Sequence, residues 1–144
     1  MSVADYKELR VYRSAFEAAV RIYELSRRFP AEEKYSLTDQ VRRSSRAVCA
    51  NIAEAWRKRR YEAAFISKLS DSGAEAAETE VWLDFALRFR FVRAEDHAEL
   101  TDTYDHVCRQ LSLMMSNASS WCTSGDQIRG EQAEYFIRPP EPQP

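Results

Sequence analysis

Seven cations crowd one short region of the chain: Arg42, Arg43, Arg46, Arg57, Lys58, Arg59 and Arg60. Guanidinium groups at helical spacing suit phosphate recognition, because each presents a planar fork of N–H donors to a pair of oxygens. If this region is one continuous helix, Arg42, Arg46, Arg57 and Arg60 fall within roughly 60° of one another, with small Ala50 and Ala53 between them. Such a stripe would grip a nucleic-acid backbone with steep salt dependence and little sequence preference. The competing use is internal. Asp71, Glu75 and Glu78 share one helical face at i, i+4 and i+7, and would neutralise the arginines within or between subunits.

Other chemistries find little footing. The three carboxylates lack the Glu-x-x-His companion of di-iron bundles, so no metal is expected. Cys49, Cys108 and Cys122 stand at unrelated spacings rather than as paired zinc ligands, and read as idle thiols. His97 and His106 are nine residues apart, on nearly opposite sides of a helix. Asn51 and Glu54 have no nucleophile or base beside them, and an Asn near a packed seam more often fixes helix register. There is no glycine-rich phosphate loop and no Ser-His-Asp or Cys-His arrangement, so the expectation is a protein without catalysis or cofactor.

The elements that must carry these residues are helical. Pro30 stands alone until the last six residues, and nearly a hundred residues after it hold no backbone breaker other than Gly73, in a 144-residue chain that is 44% hydrophobic. Four helices are predicted, at about Tyr6–Arg28, from Ser36 through the basic region, at Tyr61–Phe89 and at Ala94–Trp121. Their expected core stripes are Tyr12, Phe16, Ala19, Val20 and Tyr23 on the first; Leu37, Val41, Ser45, Val48, Ile52 and Trp56 on the second; and Leu100, Tyr104, Val107, Leu111, Met114, Ala118 and Trp121 on the fourth. Ser36 with Asp39 approximates a capping box. Short connections force neighbours to run antiparallel, so the fold class is an all-α, up-down-up-down four-helix bundle over residues 1–122. The segment 123–144, ending PPEPQP, is expected to be a mobile tail on which Tyr135, Phe136 and Ile137 could dock back.

The third helix carries more apolar surface than a monomer needs. Phe65, Leu69, Gly73, Ala76, Leu83 and Leu87 gather on one side, while Asp71, Glu75, Glu78, Trp82, Phe85 and Phe89 line the other. Contiguous aromatic surface marks an interface, so self-association through this second stripe is expected. Net charge points the same way. Residues 1–60 hold 14 Lys/Arg against 8 Asp/Glu and residues 61–144 hold 7 against 15, a split that either builds a nucleic-acid face or neutralises itself in an assembly. The N-terminus shows no apolar signal core and no run long enough to span a membrane, which reads as cytoplasmic.

The segments YKELRVY (6–12), FPAEEKYSLTDQVRRS (29–44), NIAEA (51–55) and FISKLSDSGAEAAETEVWLDFA (65–86), with Leu100, Tyr104 and Met114, closely resemble the bacterial four-helix-bundle family encoded in intervening sequences of large-subunit ribosomal RNA genes. The resemblance covers about residues 5–121. It implies a homo-oligomeric ring, typically a homopentamer, without known catalysis. A looser likeness in fold, to the accessory protein of diversity-generating retroelements, implies a basic ring that binds RNA or DNA and a reverse transcriptase. Where relatives often read S-I-P-x-N-I-A-E-G, this chain has Ala47-Val48-Cys49-Ala50-Asn51-Ile52-Ala53-Glu54-Ala55. Without that proline and glycine, the second helix is expected to run on and carry Arg57 to Arg60 on the same rod as Arg42.

Overall fold

A computed structural model describes residues 3–122. The expected C-terminal tail over 123–144, with Tyr135, Phe136 and Ile137, lies outside the described residues. Four long helices, α1 (Arg10–Ser26), α2 (Leu37–Arg57), α3 (Glu62–Arg88) and α4 (Ala94–Ser116), are followed by a single turn, α5 (Ala118–Trp121). Each long helix touches its sequence neighbour and α1 also touches α4, so the four close around one core. No strand occurs among the described residues, and no helix among them is long and apolar enough to cross a membrane.

Heptad spacing explains the core of α3, where Phe65, Leu69, Ser72, Ala76, Thr79, Leu83 and Ala86 are all buried. The small members of that seam let α2 come close. Thr79 Oγ1 meets Ser44 Oγ at 2.8 Å, and Ser72 Oγ donates to the Val48 carbonyl at 2.8 Å. The predicted stripe of α2 is buried throughout, and that of α4 is buried from Leu100 to Ala118. Trp121 is half-buried, its ring 6.1 Å from Trp56.

The first helix departs from expectation. A 3₁₀ turn over Tyr6–Glu8 precedes α1, and extended Leu9 separates them. The buried face of α1 is Val11, Ala15, Ala18, Ile22 and Ser26, whereas Phe16, Val20 and Tyr23 of the predicted core stripe are exposed at 47%, 41% and 44%. Alanines at 15 and 18 admit the neighbouring helices closely, so the bulky residues are turned outward.

Two junctions also differ from the sequence expectation, and a third was not anticipated. Ser36 makes no cap bond to its own helix. Its hydroxyl and the Leu37 amide both donate to the Glu33 carboxylate, at 3.0 and 3.4 Å, so an acid upstream caps α2. α2 stops at Arg57 with a turn over residues 58–60 instead of running on. The Arg59 guanidinium lies 3.5 Å from the Trp56 ring centroid and its Nε donates to the Trp56 carbonyl at 2.9 Å, which ties off the helix end. After α3, Arg90 adopts a left-handed φ of 64°. Its amide donates to Leu87 O and that of Phe91 to Ala86 O, the Schellman pairing normally closed by glycine.

Candidate assembly and nucleic-acid surfaces

The turn at residues 58–60 breaks the expected basic stripe into groups with different work. Arg42 leans inward: its Nε donates to Ser26 Oγ at 2.7 Å and its guanidinium covers the Tyr23 ring at 4.8 Å. Arg43 crosses to α3, where it pairs with Glu75 at 3.3 Å and with Glu78. Arg59 is buried against Trp56. These three are spent inside the subunit. Arg46, Arg57, Lys58 and Arg60 are exposed, and no ion pair engages them among the described residues. Arg57 and Lys58 end α2, where the helix dipole also favours cations. Arg60 has left the helix, so the projected four-arginine stripe does not form.

The acidic residues are divided likewise. Glu75 and Glu78 hold Arg43, so the internal neutralisation runs through Arg43 and not through Arg42 or Arg46. Asp71 sits 4.0 Å from Lys68, which reaches Glu54 of α2 at 2.9 Å. Among the described residues no group of three or more His, Cys, Asp or Glu could hold a metal ion. His97 Nε2 sits 2.8 Å from an Asp84 carboxylate oxygen, and His106 Nδ1 sits 2.9 Å from the Asp102 carbonyl. The cysteines are free thiols, and burial pushes Cys49 up to about 11. Asn51 donates to the Ala47 carbonyl one turn back, a bond within α2.

The aromatic half of α3 builds a ladder of rings. Trp82 meets Phe85 at 6.1 Å, Phe85 meets Phe89 at 5.8 Å, Phe89 meets Phe91 at 5.6 Å and Phe91 meets Phe29 at 5.5 Å. Trp82 is half-buried between helices, while Val81, Phe85 and Phe89 are exposed at 47%, 45% and 49%. Sequence reasoning missed Val81, Phe91 and Phe29. The last two join through the turns before α2 and α4, and no helical period could reveal that. It also missed a second exposed apolar surface, a groove of about 470 Å³ between α1 and α2 lined by Tyr12, Phe16, Ala19, Val20, Tyr23, Arg46 and Cys49.

On α3 and α4, Glu80 lies against Asp105. Burial first, and then hydrogen bonding to Asp105, lift its carboxyl to about 7, with Asp84 adding to the effect and His97 opposing it. The Tyr104 hydroxyl nearby is buried and has no hydrogen-bond partner among the described residues.

Comparison with known proteins agrees with this architecture. No curated protein matches the chain. A crystal structure of a protein of unknown function from the S23 ribosomal protein family of Bacteroides thetaiotaomicron superposes with a TM-score of 0.66 at 30% identity, covering 74% of this chain and 95% of that one. The family model described as 23S rRNA-intervening sequence protein matches residues 7–113. Spanning most of the helical bundle, that match places the chain in the family of 23S rRNA-intervening sequence proteins.

Proposed function

We propose that the protein is a non-enzymatic scaffold that assembles with copies of itself and offers exposed cations to a nucleic-acid backbone. The observation that carries it is the ladder on α3: Val81, Phe85 and Phe89 are each about half exposed in a continuous apolar strip, and an isolated subunit gains nothing by leaving such a strip in water. Assembly into a closed ring, with the pentamer implied by the family resemblance, covers it. Arg57, Lys58 and Arg60 supply the cations, repeated once per subunit, so that a modest cluster becomes a multivalent surface.

The second reading is a module whose charges serve folding and assembly alone. It is favoured by Arg42, Arg43 and Arg59, which are already engaged inside the subunit. Fluorescence anisotropy with labelled RNA and DNA across a salt series separates the two. The scaffold reading expects binding at about 50 mM salt that weakens steeply as salt rises. It also expects Arg57→Gln, Lys58→Gln and Arg60→Gln together to flatten that dependence while the mass from light scattering stays constant. Absence of binding at low salt leaves the structural module.

A further inference from the structure

The ladder on α3 is an outward ridge, and what it mates with is written on the other flank of α2. There α1 and α2 enclose the apolar groove, whose exposed walls are Phe16, Val20 and Tyr23 and whose floor includes Cys49. We infer that this groove receives the α3 ridge of a second copy of this chain, so that subunits join head to tail. The inference rests on the self-association proposed above and names its two surfaces.

Three observations commit the groove to that occupant. Length agrees: Phe16 to Tyr23 and Val81 to Phe89 are seven and eight residue steps apart, about 10 and 12 Å along their helices. Charge agrees: the groove is rimmed by Arg46, exposed and outside every ion pair among the described residues, whereas the ridge continues into Asp71, Glu75 and Glu78. Of those, Asp71 and Glu78 keep side-chain exposures of 58% and 37% despite their internal pairs, leaving carboxylate surface for a neighbour's guanidinium. Placement agrees as well. The groove borders α1, and Arg43 joins the ridge to the opposite flank of α2, so one subunit cannot fill its own groove with its own ridge. Two unlike, mutually complementary faces make a heterologous contact, which closes into a ring or grows into a filament.

Mixing two variants tests this directly. The groove variant carries Phe16→Glu and Val20→Glu, and the ridge variant carries Phe85→Glu and Phe89→Glu; all four positions are between 41% and 49% exposed, so the helices should persist by circular dichroism. Wild type should assemble and each variant alone should be monomeric. An equimolar mixture at about 100 µM should give a heterodimer of twice the protomer mass, because one intact groove still meets one intact ridge. A groove variant that self-associates as well as wild type, or a mixture that stays monomeric, overturns the inference. A monomeric wild type instead removes the self-association on which it rests. Should either glutamate pair unfold its chain, Phe16→Ser and Phe85→Ser pose the same question at lower cost.

Discussion

Truncating Ile22 and Phe16, on opposite faces of α1, should have very different consequences. Ile22 is 2% exposed and Phe16 is 47% exposed. Ile22→Ala leaves a void among the core residues and should cost about 2–5 kcal/mol. Complete burial of a phenylalanine contributes about 1.5–3 kcal/mol, and Phe16 attains roughly half of that in the lone subunit, so Phe16→Ala should cost about 1 kcal/mol. Urea unfolding at submicromolar protein, where dilution favours the lone subunit, reads both values from the midpoint at constant slope. Raising the protein concentration should then widen the gap between Phe16→Ala and wild type, because assembly stabilises the folded state by mass action and the variant assembles less. The Ile22→Ala difference should stay nearly unchanged. If Phe16→Ala costs as much as Ile22→Ala in dilute solution, α1 is rotated from the orientation described and the groove does not exist.

Thr79→Val keeps the shape of the α2–α3 seam but removes the hydroxyl between Ser44 Oγ and the Glu75 carbonyl, so a loss of about 1–2 kcal/mol is expected in the same urea experiment. Tyr104→Phe should be neutral or slightly stabilising, since the deleted hydroxyl has no hydrogen-bond partner among the described residues, and thermal melts will show it. Glu80 holds its proton in the folded protein up to about 7 against 4.5 in the unfolded chain. The folded state therefore binds the extra proton, and stability should fall as pH rises between those values. Glu80→Gln should flatten that decline in melts taken from pH 4.5 to 7.5.

Much of the bundle was legible because three helices obey simple periods. Val41, Val48 and Ile52 on α2, Phe65, Leu69 and Leu83 on α3, and Leu100, Val107 and Leu111 on α4 are buried as their spacing requires. α1 misled because its two faces are both apolar. The larger residues, Phe16 and Tyr23, outweighed Ala15 and Ala18 in a reading that equates bulk with burial, yet close helix packing selects small residues. The end of α2 was invisible since no glycine or proline marks it; the stop depends on Arg59 folding back over Trp56. The left-handed Arg90 hid for the same reason. On the surfaces, spacing placed Arg42 on one stripe and left open whether a ligand or an internal carboxylate meets the basic residues; the Ser26 hydroxyl claims Arg42, and the Glu75 and Glu78 carboxylates claim Arg43. A one-dimensional pattern shows which residues share a face, not which partners already occupy it.

Native mass spectrometry of the wild-type chain at rising concentration tests the central claim most directly, since it counts subunits without labels or variants. The account predicts a single closed species of at least three 16.7 kDa protomers, reached without a persistent series of larger masses, as a head-to-tail contact that closes requires. A protein that remains at 16.7 kDa throughout, or that stops at a dimer, contradicts it.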